Sequence, residues 1–332
     1  MLTFELTASD LAQIRFAVSP ISQLTGALIV LAGRALPAGM AEWRDATCDR
    51  FDELTRAQPL LASLVELLRV TRYVPDCVSP PPRRPESRID DELEAIRATP
   101  ADQVRADLRR SERLRRPGSS GGRTPQWDVP DLPGQLAAGL GAAWERLLAD
   151  DWQVIRALLQ RDIAYRAGIV ATHGLAAAFE DLDDSLQWDA SGRLALRGRE
   201  PARHLPGGSG LWLVPNAFGG GWLCLDPPGA YALTYPARGS DALMQPRTPS
   251  PSDEALGRLI GRSRAALLLQ LEQPATTTQL SAGLAMALGA VGDHLAVLRA
   301  NELVTRSRAG RSVLYERTPA GDALVGRAGS GR

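Results

Sequence analysis

Three histidines (His173, His204 and His294) and three cysteines (Cys48, Cys77 and Cys224) are the whole supply of imidazole and thiol in 332 residues. Neither set has the spacing of a metal site, a redox pair or a nucleophile beside its base. Lysine is absent, all 38 basic residues being arginine. Schiff-base chemistry, a phosphate-loop lysine and Ser–Lys acylation are thereby excluded. Gly207-Gly208-Ser209-Gly210 and Gly219-Gly220-Gly221 match no nucleotide or hydrolase signature and are expected to be hairpin turns. The expectation is a protein that is not an enzyme, with no cofactor and no metal. Its widely separated cysteines suit buried small hydrophobes or free thiols in a reducing compartment.

What remains is charge placed by pattern. Arg306, Arg308 and Arg311 surround the turn Ala309-Gly310. Total charge carries little: the chain is neutral overall, and its last 80 residues hold 10 arginines against 7 acids. Arginine without lysine, beside abundant Ala, Gly and Pro, points to a GC-rich coding sequence. Position therefore matters more than number.

The elements around that turn are legible. Leu280 and Leu284 give an apolar face to a short helix from Thr278 to Met286, capped by Thr276, Thr277 or Thr278. Val291, Leu295 and Leu298 fall at i, i+4 and i+7, which predicts a second helix from Ala287 to Asn301 with one buried face. Leu303–Arg308 and Ser312–Arg317 are expected strands on either side of the turn, and Thr318-Pro319 opens a last short helix.

The run LAMALGAVGDHLAVLRANELVTRSRAGRSVLYERT resembles the ArsR-type winged helix-turn-helix regulators. The matching positions are Val291, His294, Leu295, Leu298, Leu303, Val304, Arg308, Gly310, Arg311, Tyr315 and Thr318. The resemblance implies a transcriptional regulator that binds double-stranded DNA as a homodimer on a palindromic operator. It would lay a recognition helix (about 287–301) in the major groove and an Arg-rich wing (305–312) on the backbone or minor groove. Residues so placed are Thr278, Gln279, Leu288, Gly289, Ala290, Asp293, His294, Arg299, Arg306, Arg308 and Arg311.

Departures from the family pattern bear on that function. Ala287, Ala290 and Gly292 replace groove-facing hydroxyls. Asp293 would be repelled by phosphates, although it can accept a hydrogen bond from cytosine N4. Gly289 and Gly292 each weaken the helix by ~1 kcal/mol relative to Ala. LLLQLEQPATTTQLS lacks the thiolates that a soft-metal sensor needs.

The first three quarters of the chain read as α+β, a mainly helical domain with a small antiparallel sheet. LTFELTASDLAQIRFAVSPISQLTGAL, LWLVPNAF and LTYPARG resemble a large N-terminal domain of unknown function attached to such regulators in bacteria with GC-rich genomes. Leu2–Leu6 predicts a strand, and Ser9-Asp10 a cap for a helix from Leu11. Further helices are expected from Pro20 to about Gly33, Ala41 to Ala57, Pro59 to Arg72, Ile89 to Arg116, Leu136 to Arg166 and Val170 to Asp181. Pro117–Gly134 reads as a loop. Five short alternating runs between Leu186 and Tyr235 predict the sheet, with the N-terminal strand a candidate to complete it. Trp188, Trp212, Phe218, Trp222 and Tyr235 are either core and dimer interface or the lining of an effector pocket.

Domains are expected at 1–245 (dimerisation or effector sensing) and 253–328 (winged helix-turn-helix). A linker at 246–252 would join them, with Ser252 or Asp253 capping a long helix from Glu254 to Leu271. No secretory leader or membrane-length apolar run is visible, so a cytoplasmic protein is expected. Two alternatives stand beside the DNA-binding regulator: a degenerate winged helix serving protein interaction, and a ligand-binding sensor.

Overall fold

The computed structural model describes residues 2–329 apart from 38, 72, 117–126, 181, 183–185, 190–192, 197–201, 205, 227–229, 241–250, 272, 273, 285, 310 and 311. It is an α+β molecule with two compact units. The first comprises Met1–Trp152 and Asp162–Gln245, the second Gln153–Arg161 and Pro246–Arg332. Among the described residues, no helix is long and apolar enough to cross a membrane.

The first unit holds helices α1 (Ala8–Ala12), α2 (Pro20–Leu31), α3 (Ala41–Ala57), α4 (Pro59–Val70), α5 (Ile89–Arg97), α6 (Ala101–Arg113), α7 (Leu132–Leu147) and α9 (Leu175–Glu180). Helix α8 (Trp152–His173) is divided, with Gln153–Arg161 of its N-terminal half assigned to the other unit and the rest to this one. Helix α2 is buried along nearly its whole length, as its sequence PISQLTGALIVL allows. Pro20 sits in its first turn, where no backbone donor is lost, and the Ser19 side chain accepts from the Ser22 N–H.

Several helical runs are interrupted. Ile89–Arg116 is two helices because Pro100 removes a backbone donor and keeps Thr99 out of the helical region. Leu136–Arg166 is also two, α7 and α8, separated by the turn Leu148–Asp151. Helix α7 starts earlier than expected, at Leu132, because Asp131 accepts from the Gly134 N–H. The first cap is Thr7 rather than Ser9-Asp10. The Thr7 hydroxyl accepts from the Asp10 N–H while the Asp10 carboxylate accepts from the Thr7 N–H, a reciprocal box.

The expected single antiparallel sheet is two four-stranded mixed sheets. One runs β3 (Leu186–Trp188), β4 (Arg193–Leu196), β1 (Leu2–Glu5), β5 (Ala202–His204), with β1 and β5 parallel. The other runs β2 (Arg15–Phe16), β6 (Trp212–Asn216), β8 (Ala230–Pro236), β7 (Trp222–Asp226), parallel from β2 through β6 to β8. One apolar cluster draws on both sheets: Phe4, Leu194 and Leu196 from the first, Leu213, Leu223, Leu233 and Tyr235 from the second.

The second unit contains α10 (Pro251–Ile260), α11 (Arg262–Gln270), β9 (Ala275–Thr276), α12 (Thr277–Leu284), α13 (Leu288–Ala300), β10 (Val304–Ala309), β11 (Ser312–Arg317) and α14 (Pro319–Gly329). The expected Glu254–Leu271 helix is broken at Gly261, whose φ of +88° lies in the left-handed region that glycine adopts without strain. The helix begins at Pro251, ahead of Ser252 and Asp253; residues 246–250 of the expected linker lie outside the described ones. Three antiparallel strands, in the order β10, β11, β9, close the unit. Its core joins Leu267, Leu268 and Leu271 of α11 and its end, Leu280 of α12, Val291, Leu295 and Leu298 of α13, and Val304 of β10.

Candidate nucleic-acid interface

Local chemistry fixes α12 and α13. The Thr276 hydroxyl accepts from the Gln279 N–H at 3.2 Å, and Gln279 Oε1 accepts from the Thr276 N–H at 2.7 Å. This box caps α12 from both sides. The Ser281 hydroxyl then donates to the Met286 carbonyl at 2.6 Å, tying α12 to the turn that follows it. Helix α13 starts without such help, for Ala287 makes no side-chain cap. Burial of Val291, Leu295 and Leu298 sets its rotation. The opposite face, with Gly289, Asp293, Ala296 and Ala300, is exposed.

Strand register decides where the hairpin cations point. Val304 pairs with Arg317, Arg306 with Tyr315, and Arg308 with Val313. Alternate residues of a strand share a face, and directly opposed residues share it too. Arg306 and Arg308 therefore lie on the face of Val304, which packs into the core with α13, while Thr305 and Ser307 lie on the other. Both arginines are exposed. Arg317, on the core face at the hairpin base, secures the structure there by pairing with Asp322 at 2.8 Å and donating to the Leu268 carbonyl at 3.4 Å.

Of the residues singled out from the sequence, Thr278, Leu288, Gly289, Asp293, Arg299, Arg306 and Arg308 are exposed. Ala290 and His294 are half-buried on the flank of α13. Gln279 is half-buried as well, and its Oε1 serves the α12 cap. Arg311, like Gly310, lies outside the described residues. Sequence reasoning passes over Ala296, Val297 and Ala300, although their offsets from Asp293 would find them. It also passes over Val313, which is 41% exposed opposite Arg308.

The aromatic residues weighed as core or as a pocket lining do not share one face. Trp212 and Trp222 lie on one face of their sheet, and Tyr235 lies on the other. Each of the five has its own partner. Trp188 stacks on Phe179 with centroids 5.2 Å apart, and Phe218 meets Trp43 at 4.7 Å. Trp212 lies under the Arg15 guanidinium, and Trp222 Nε1 donates to the Ser79 hydroxyl at 3.3 Å. The buried Tyr235 hydroxyl donates to Asp162 at 2.7 Å, and Asp162 also holds the buried Arg166 guanidinium at 3.2 Å. Phe218, Trp222 and Tyr235 are buried, and Trp188 and Trp212 half-buried.

The glycine-rich turn at Gly207–Gly210 is likewise occupied. The N–H groups of Gly208 and Gly210 donate to Asp10 at 2.6 and 3.2 Å, where a phosphate-binding loop would present them to a ligand. Gly210 has φ of +74°, and a Cβ there would run into the Gln13 carbonyl. Burial disfavours the Asp10 charge, but its hydrogen bonds from Thr7, Gly210 and Gly208 outweigh that and hold its pKa below the usual aspartate value.

Two other buried carboxyls shift upward. Burial, then the charge of Asp107, pushes Asp76 up to about 7. Burial pushes Glu92 up to about 7 as well, although Oε2 accepts from the Ile21 N–H at 2.8 Å at the start of α2.

His204 and His173 have separate neighbours. His204 packs 5.3 Å from the Phe4 ring and 5.9 Å from that of Tyr231. Burial and the Arg110 charge hold its pKa down. His173 shares a hydrogen bond with the Thr172 hydroxyl at 2.6 Å. Among the described residues, no three His, Cys, Asp or Glu side chains form a group that could hold a metal ion. Set against protein-family models, curated proteins and solved structures, the chain matches none.

Proposed function

We propose that the C-terminal unit is a winged helix-turn-helix of the ArsR type and that the protein is a DNA-binding transcriptional regulator. Helix α13 enters the major groove, and the β10–β11 hairpin is the wing that lies on the backbone or minor groove. A homodimer would present two such units to a palindromic operator. The observation that carries this reading is the placement of Arg306 and Arg308, exposed on the same hairpin face as Val304. Cations there meet phosphates on the helix side of the wing, and such contacts fix register without reading sequence. The first turn of α13 adds to this, since Ala287 leaves its N–H groups without a side-chain partner. The test is binding of the full-length protein to the duplex flanking its own coding sequence. Affinity should fall steeply between about 50 and 200 mM salt if phosphates are contacted.

One observation favours a second reading, a winged module that binds protein instead of DNA. The exposed face of α13 carries no cation at Gly289, Asp293, Ala296 or Ala300, while Leu288 is 54% and Val297 40% exposed. On that reading no duplex binds, even in dilute buffer.

A further inference from the structure

The strip of α13 directly opposite its buried side holds a single hydrogen-bonding side chain, the exposed Arg299 lying to its flank. Gly289, Asp293, Ala296 and Ala300 recur at offsets of four, seven and eleven, opposite Val291, Leu295 and Leu298. Only Asp293 among them has polar side-chain atoms. It is exposed, and no described residue pairs with its carboxylate.

Neither packing nor backbone geometry requires its glycine neighbours. A Cβ added at Gly289 or Gly292 would meet nothing within 4 Å, and neither has a left-handed φ. Packing and backbone geometry would both accept alanine, the better helix former. Glycine at such a place leaves room for a ligand to come close to the backbone from outside, as it would at Gly168 and Gly326 of other helices. Arg306 and Arg308, on the α13 side of the hairpin, give that ligand its negative charge. A duplex edge fits both conditions.

Base chemistry then narrows the choice. An ionised carboxylate only accepts hydrogen bonds. In the major groove, guanine offers two acceptors, thymine an acceptor and a methyl, and adenine a donor beside an acceptor. Cytosine alone offers a donor with no acceptor on the same base.

We infer, resting on the DNA-binding reading above, that Asp293 is a specificity-determining side chain of this helix and selects a cytosine through its exocyclic amine. Gly289 and Gly292 let the helix axis come near enough for a side chain this short to reach.

The test is selection of binding sites from a randomised duplex pool by the full-length wild type, Asp293→Asn and Asp293→Ala. The wild type should fix a cytosine at one position, with replacement by thymine costing about tenfold or more in affinity. Asp293→Ala should lose the preference at that position alone, and Asp293→Asn should move it to adenine, which asparagine reads. Gly289→Ala should weaken binding to the selected site while leaving the fold intact by circular dichroism. If all three proteins select the same sequence, Asp293 is not the reader and the inference fails while DNA binding stands. If the wild type binds no duplex even at low salt, the DNA-binding reading falls and takes this inference with it.

Discussion

Arg306 stands directly across the β10–β11 ladder from Tyr315, which packs on the apolar cluster that also holds Val291, Leu295 and Leu298. The cation is thus tied to α13 through two strands and a shared core. On the DNA-binding proposal, Arg306→Ala and Arg308→Ala should each lower DNA affinity at every sequence tested and reduce the salt slope by about one. Fluorescence anisotropy across a salt series reads both quantities. Unchanged affinity in both variants would show that this hairpin is not a wing on DNA.

Asp10 joins the start of α1 to the Gly207–Gly210 turn through four hydrogen bonds from Thr7, Gly208 and Gly210. Asp10→Ala removes the carboxylate half of the capping box and strands two glycine N–H groups, so it should cost at least about 2 kcal/mol in chemical denaturation. Because the folded pKa is depressed, the stabilisation is present above the ordinary aspartate value and disappears as pH falls through the lowered one. Asp10→Asn should flatten stability in that acid range, and an unaltered acid limb would refute the assignment.

Asp76 and Glu92 act in the opposite sense. Their folded pKa values of about 7 lie above the ordinary 3.8 and 4.5, so the fold holds protons that the unfolded chain releases. Their contribution is complete below about pH 4 and is lost as pH rises through about 7. The urea midpoint should therefore decline across that window, and Asp76→Asn with Glu92→Gln should remove most of the decline. A midpoint that stays level in the wild type would contradict both shifts.

The Asp162–Arg166 pair is almost wholly buried and completed by the Tyr235 hydroxyl, the Arg238 N–H and the Ala178 carbonyl. Arg166→Met leaves a buried carboxylate without its counter-charge, and the cost should be ~3 kcal/mol or more. Asp162→Asn combined with Arg166→Met should recover part of the loss, because no bare charge remains. Equal stability of the single and double variants would show that the ionised pair is not the source of the cost.

How much of the molecule is legible in its sequence depends on the range of the interaction. The buried face of α13 follows from spacing alone, since Val291, Leu295 and Leu298 repeat with the helical period and are all buried. The hairpin follows from alternation and Ala309-Gly310. The sheets of the first unit do not. β1 pairs with β4 and β5, nearly two hundred residues away, and β2 with β6 at a similar distance. Nothing in the local pattern specifies such partners, nor which face of a sheet a tryptophan takes; hence one sheet is expected where two sheets divide the aromatics. The Gly261 break escapes the sequence because the apolar period runs through it, whereas its φ of +88° is a property of the folded backbone. For the candidate site, the exposure of Arg306 and Arg308 and their place near the turn are readable. The diversion of Gln279 into a cap is readable too, from Thr276-x-x-Gln279, although the family resemblance assigns that side chain to DNA.

The most direct test of the DNA-binding proposal is a titration of full-length protein with the duplex flanking its own coding sequence, repeated from about 50 to 200 mM salt. The proposal predicts a saturable complex whose log affinity falls linearly with log salt, with a gentler slope when Arg306 and Arg308 are both replaced by alanine. Absence of a complex at the lowest salt, or a slope that the double replacement leaves unchanged, would contradict it.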